Sequence, residues 1–277
     1  MTSRPPANIT RRMLLLAGAA LALPARSEGF DPSHWAWTAL LKKHVVTIDG
    51  GKASQLRYAG MAADRSALKT YLGALSSVSA SDFAGFGKSR QMAFLINAYN
   101  AFTIELVLMR YPKLASIKDL GSLLQSPWKR AFVPLLGTTM SLDGIEHDRL
   151  RARGGYDDPR IHFAVNCASV GCPPLREEAY VAERLDAQLD EQARRFMSDR
   201  SRNRWSSGQQ RLEVSKIFDW YGEDFRLGHR GVTSTEAFYA LHADALADAP
   251  ADRERIRGQR EAVSFLAYDW ALNDARS

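Results

Sequence analysis

The densest run of reactive side chains lies between Glu146 and Cys172 and contains Glu146, His147, His162, Asn166, Cys167 and Cys172. Both cysteines of the chain and two of its six histidines fall here. A thiolate attacks carbonyl carbon, and a neighbouring imidazole lowers the thiol pKa and shuttles the proton. Cys167 is therefore a candidate nucleophile, with His162 or His147 as its base. Asn166 is the candidate to orient the imidazole or to donate to an oxyanion. The same cysteines can instead close a disulfide, with Gly171 allowing the tight turn. Such a small ring constrains little of the unfolded chain, so its stabilising effect is modest. A reducible pair would be redox-active. Glu146, His147, His162, Cys167 and Cys172 are also suitable metal ligands. Their spacing matches no recognised metal signature, and no cofactor is implied.

The elements that must position these residues are legible in outline. Residues 35–46 and 65–77 have helical apolar spacing. After Gly85-Phe86-Gly87, Ser89 is placed to cap a long helix that runs to the Tyr111-Pro112 boundary, about residues 89–110. It is apolar nearly all round, so it belongs in the middle of the fold. Asn97 and Asn100, three apart on one face, then need buried partners and are expected to tie loops to the core. The stretch Phe132–Leu142 reads as a hairpin turning at Gly137. Asp143 to Glu146 reads as a capping box opening a short helix through Leu150.

Ile161–Val165 is expected to be a short strand, with His162 facing away from Ile161 and Phe163. Strict alternation would then send residues 162 and 167 to opposite faces, so a His162–Cys167 pair requires a turn near Asn166. The papain-like order, a helical cysteine ahead of its histidine, is absent. A polar helix is expected over roughly 180–199 and a strand at Arg211–Val214, with helices from Ile217 to the end. Trp220 and Phe225 are expected in the core, with Asp224 as a cap or salt-bridge partner. His34, His44, His229 and His242 sit in contexts that suggest no role. The fold class that results is α+β: a mainly helical single domain with a small antiparallel sheet and the buried central helix.

Several stretches together resemble the family called domain of unknown function 547. They are Phe94–Ala101, Leu142–His147, Asp158–Cys167, Ser169–Leu175 and Lys216–Phe225, so the resemblance covers roughly residues 85–225. It implies a shared fold and carries no activity with it.

The chain opens on Ile9-Thr10-Arg11-Arg12-Met13-Leu14-Leu15-Leu16, a short apolar run and small residues up to Ala25. These are the parts of a cleavable signal of the twin-arginine type. Cleavage after Ala22 or Ala25 would place the mature protein in the periplasm. Loss of Arg4, Arg11 and Arg12 lowers the formal charge from +6 to +3, which gives little reason to invoke nucleic acid. No later stretch is apolar enough for a membrane span. About 250 mature residues suffice for one globular domain.

Three functions follow. The first is a cysteine-dependent hydrolase or acyl transferase acting on a small molecule or peptide. The second is a non-catalytic periplasmic binding or accessory module with a Cys167–Cys172 disulfide. A thiol-redox or metal protein is the third.

Overall fold

The apolar side chains of the described residues gather into two cores. The computed structural model describes residues 1–2, 30–122 and 125–275, so the twin-arginine segment lies outside the described residues. Helix α1 (Trp35–His44) runs straight into strand β1 (Val45–Ile48), which pairs antiparallel with β2 (Ala53–Leu56). Helices α2 (Tyr58–Ala63), α3 (Arg65–Ser76) and α4 (Ala80–Ala84) follow, the last closed by a Ser79–Asp82 capping box.

Helix α5 (Lys88–Leu108) is the central one, and every residue from Met92 to Leu108 is buried. The helix starts ahead of Ser89. Gly87 supplies the extended N-cap backbone and its carbonyl accepts from Gln91 N at 3.0 Å, leaving Ser89 inside the first turn. Strands β3 (Val133–Leu135) and β4 (Thr138–Met140) form the expected hairpin. Its turn, Leu136-Gly137, has positive φ at both residues, the geometry of a two-residue hairpin loop.

Helix α6 (Leu142–Ile145) is capped by Ser141, whose hydroxyl accepts from Gly144 N at 3.0 Å. The expected capping box at Asp143 and Glu146 is therefore displaced. Glu146 is past the first turn and opens a π-helical turn, Glu146–Leu150. Wide turns of this kind recur at functional sites because they re-aim successive side chains.

The largest departure from expectation is at Ile161–Val165. Pro159–Phe163 is a 3₁₀ turn rather than a strand. Asp158 caps it by accepting from Arg160 N at 3.0 Å, and Pro159 pre-sets the first helical position. Every residue from Ile161 to Val165 is buried, so alternation had no solvent face to report.

Helix α7 (Leu185–Met197) follows a short 3₁₀ turn at Ala182–Arg184. Strands β5 (Arg204–Ser206) and β6 (Arg211–Val214) pair antiparallel, and β7 (Ala262–Phe265) adds to β6 in parallel. Between them lie α8 (Ile217–Trp220), α9 (Thr235–Leu241), α10 (Ala243–Leu246) and α11 (Pro250–Arg257). The run of helices thus ends at β7, whose pairing partner lies some fifty residues away and leaves no local signal. After β7 the chain forms an extended strap. It is held by Gly171 N to Asp269 O and Val170 N to Ala271 O, both 2.8 Å, and by Asn273 N to Ala168 O at 3.1 Å.

The protein is α+β and mainly helical, with small sheets of two or three strands. One core surrounds α5. The other is built largely of aromatic rings, including Phe163, Phe196, Phe218, Phe225 and Phe238. Two segments join them. Helix α7 puts Leu185 and Leu189 into the first core and Ala193 and Phe196 into the second. The 3₁₀ turn puts Ile161 into the first and Phe163 into the second. His162 sits between.

Candidate functional site

A cleft of about 300 Å³ lies along this seam. From the α5 side come Tyr99, Asp143, Glu146 and His147; from the aromatic side come Trp220 and Tyr221. His162, Cys167 and Cys172 are contributed by the joining segment, and Tyr268 and Trp270 by the C-terminal strap. Five of the six reactive residues therefore meet in one cavity: Glu146, His147, His162, Cys167 and Cys172. The turn replaces the strand, so the alternation that would have separated His162 from Cys167 does not operate.

His162 is 3% exposed. Its Nε2 lies 2.7 Å from Asp224 Oδ2, and its ring stacks on Tyr221 with centroids 4.1 Å apart. Nδ1 is buried without a hydrogen-bond partner in the protein. Asp224 also accepts from Arg151 Nε at 2.6 Å and Nη2 at 3.1 Å. Burial alone would raise the Asp224 carboxyl, but the hydrogen bonds from His162 and Arg151 outweigh it and hold the group well below the usual carboxylate range. A carboxylate kept ionised behind an imidazole fixes the ring's orientation and tautomer.

Cys167 and Cys172 are paired as a disulfide, with Cα atoms 6.3 Å apart. Cys167 is half-buried, whereas Cys172 is only 4% exposed. The backbone N–H of Cys167 donates to Cys172 Sγ at 2.9 Å. The Tyr268 hydroxyl lies 3.2 Å from both sulfurs, and Ser169 Oγ lies 2.9 Å from Cys167 Sγ. Burial pushes the Tyr268 phenol up to about 12, so it remains a proton donor at neutral pH. The loop between the cysteines turns at Ala168, whose φ of 67° is unusual for a residue with a Cβ. Gly171 serves by lacking a side chain. A Cβ there would meet the Asp269 backbone and the Tyr268 ring at 3.0 Å, so the glycine lets the strap bring Tyr268 to the sulfurs.

Glu146 is 5% exposed and within hydrogen-bonding reach of the Tyr99 and Tyr221 hydroxyls. Burial first, and the Glu146 charge second, raise both phenols well above their ordinary value. His147 lies nearer solvent, its Nδ1 accepting from Arg151 Nη1 at 2.7 Å. Burial raises the Asp143 carboxyl, opposed by His147. His147 is thus held between Arg151 and, 3.7 Å from its Nε2, the Asp143 carboxylate, while His162 is backed by Asp224 and keeps a buried ring nitrogen without a partner in the protein.

Asn166 does not line the cleft. Its Nδ2 donates to Pro173 O at 2.8 Å and its Oδ1 accepts from Ala168 N at 2.9 Å, so the amide shapes the cysteine loop. Asn97 and Asn100 tie loops to the core as expected. Asn97 exchanges two hydrogen bonds with the Tyr180 backbone, at 2.7 and 3.0 Å. Asn100 donates to Ala164 O at 2.9 Å and accepts from Asn166 N at 2.8 Å.

Sequence reasoning missed the imidazole-orienting place of Asp224, the two phenols on Glu146, and the strap residues Tyr268 and Trp270. Trp220 was expected in the core; it is 43% exposed and lines the cleft. The Asp-Trp-Tyr-Gly-Glu-Asp-Phe run at 219–225 carried the available signal, because a turn that dense in rings and acids has little else to pack. Among the described residues, no group of three or more His, Cys, Asp or Glu is placed to hold a metal ion, and no helix is long and apolar enough to cross a membrane.

No curated protein and no solved structure matches the chain. The resemblance drawn from residues 85–225 is matched over a shorter span, and the run Lys216–Phe225 lies beyond it. Residues 83–197, which include the central helix and both cysteines, match the family model described as protein of unknown function, DUF547.

Proposed function

We propose that the cleft is the active site of a cysteine-dependent hydrolase or acyl transferase, with Cys167 as nucleophile, His162 as base and Asp224 as the group that orients the base. The observation that carries this reading is the His162 ring: one nitrogen fixed on a carboxylate, the other unpartnered, in the same cavity as a half-buried cysteine sulfur. An unpartnered buried nitrogen costs stability of roughly 1–3 kcal/mol. Natural sites keep such a cost where the group has work with a ligand.

The chemistry begins with reduction. A thiol reductant supplies two electrons and two protons, converting the disulfide to two thiols. Sγ of Cys167 then gives its proton to His162 and attacks a carbonyl carbon, forming the C–S bond and a tetrahedral oxyanion. The Tyr268 hydroxyl, near Cys167 Sγ and protonated, is the donor available to that oxyanion. Collapse breaks the bond to the leaving amine or alcohol, which takes the proton from His162. Water, or an acceptor nucleophile, then cleaves the thioester with His162 again as base.

The test is covalent. Reduced protein incubated with a panel of aryl esters should acquire an acyl group on Cys167, seen by peptide mass spectrometry, and Cys167→Ala should not. Acylation absent from Cys167, or equal at Cys172, rejects the reading.

A second reading is favoured by one observation, the formed disulfide with Cys172 buried. Here the pair is permanent and the cleft only binds. Resistance of the bond to mild reductant in native protein would decide for it.

We also infer export by the twin-arginine route. Arg11-Arg12 ahead of the apolar run supports it, and the disulfide is chemistry of an oxidising compartment. Replacing both arginines by lysine should leave unprocessed precursor in the cytoplasm. Normal processing would assign the general secretory route.

A further inference from the structure

The walls of the cleft say something about what enters it. Four rings form a continuous cluster along one side. Tyr268 and Trp270 have centroids 4.5 Å apart, Trp220 lies 4.9 Å from Tyr268, and Trp128 lies 5.8 Å from Trp270. Tyr99 and Tyr221 add two more rings to the lining. Against them stand the carboxylates of Glu146 and Asp143, and the described lining residues include neither Lys nor Arg.

The nearest guanidinium is already occupied. Arg151 gives two N–H groups to Asp224 and a third to His147. Glu146 lies close to the Tyr99 and Tyr221 hydroxyls. A cavity with aromatic walls and a buried carboxylate is the chemical complement of an organic ammonium ion, which the ring faces and the carboxylate attract together. The cluster already shows that preference: Lys118 Nζ stands over the Trp270 ring, 3.6 Å from its centroid.

We propose that the cleft selects substrates carrying a positively charged amine, seated among Trp220, Tyr268 and Trp270 and facing Glu146. The proposal rests on the thiol reading of the cleft and names its substrate class, acyl compounds of amino alcohols or amino acids. A neutral sugar stacked on Trp220, or a purely apolar group, would use the same rings but not the carboxylates.

Binding can be measured on the oxidised protein, so that its outcome is separate from that of the acylation test. Choline and its uncharged isostere 3,3-dimethyl-1-butanol are titrated against the full chain while tryptophan fluorescence is followed. Choline should give a saturable change, with the isostere weaker by roughly tenfold. Glu146→Gln should weaken choline several-fold and leave the isostere unchanged, whereas Trp220→Ala should weaken both, while the melting temperature confirms that both variants are folded. Equal or tighter binding of the isostere overturns the proposal, as does the absence of a saturable change with choline. Loss of acylation with selective choline binding intact would instead reject the thiol chemistry alone.

Discussion

Two sets of buried polar groups lie close together in this protein and are finished differently. On α5, Asn97 and Asn100 each use both ends of the amide on main-chain partners from distant segments. Each behaves as an inserted peptide group, satisfied and closed to outside chemistry. His162 is as deeply buried, and on one side it is just as firmly held, by Asp224. Its other nitrogen has no partner, and a cavity opens beside it. Complete pairing marks groups that hold a fold together; a pair left half-made beside a cavity marks where a ligand completes it.

The largest effect that would break or sharpen this contrast is on reaction rate. His162→Asn should lower acylation of reduced Cys167 by about 100-fold or more, the usual weight of a general base. A change of only two- or three-fold, read from the adduct's time course, would return His162 to the company of the asparagines.

Asn100→Leu should do the opposite. It orphans Ala164 O and Asn166 N, each at roughly 1–3 kcal/mol, for a loss of about 2–6 kcal/mol. Thermal melts should therefore fall by roughly 5–20 °C. Acylation per folded molecule should hardly change.

A third, smaller effect is on acid stability. The Asp224 pKa is depressed in the folded state, where His162 and Arg151 outweigh the opposing effect of burial. Its stabilising contribution is therefore complete above the unfolded value of about 4 and is lost as pH falls through the folded-state value. Wild type should melt above Asp224→Asn at neutral pH, and the gap should narrow below about pH 4. A gap that widens on acidification would contradict the assignment.

Least of all should be the effect of Trp220→Ala on stability. The ring is at the rim of the cleft, and its removal should shift the unfolding free energy by no more than about 0.5 kcal/mol. Equilibrium denaturation checks this, and a large loss would mean the ring is a core residue after all.

Much of this arrangement was legible in the chain, for reasons particular residues make plain. The unbroken apolar run of α5 announced a buried helix, and the two amides on it required partners. The clustering of Glu146, His147, His162 and Cys167 found most of the cleft. What was not legible depended on contacts far apart in sequence. Asp224 reaches His162 across sixty-two positions, and Tyr268 reaches Cys167 across a hundred and one. Ile161–Val165 misled because its side chains serve two cores at once, so a helical turn carried no helical stripe. Glu146 misled because a cap at Ser141 freed it for the cleft.

The central claim is that His162 and Asp224 make Cys167 an activated thiol. The most direct measurement is the rate at which an uncharged alkylating reagent modifies each cysteine in gently reduced protein, followed by mass spectrometry across pH. Cys167 should react well before Cys172 and at pH values below the ordinary thiol pKa of about 8.5. That advantage should vanish in His162→Asn. Equal rates at both cysteines, rising only near the ordinary thiol pKa and indifferent to His162, would contradict the account.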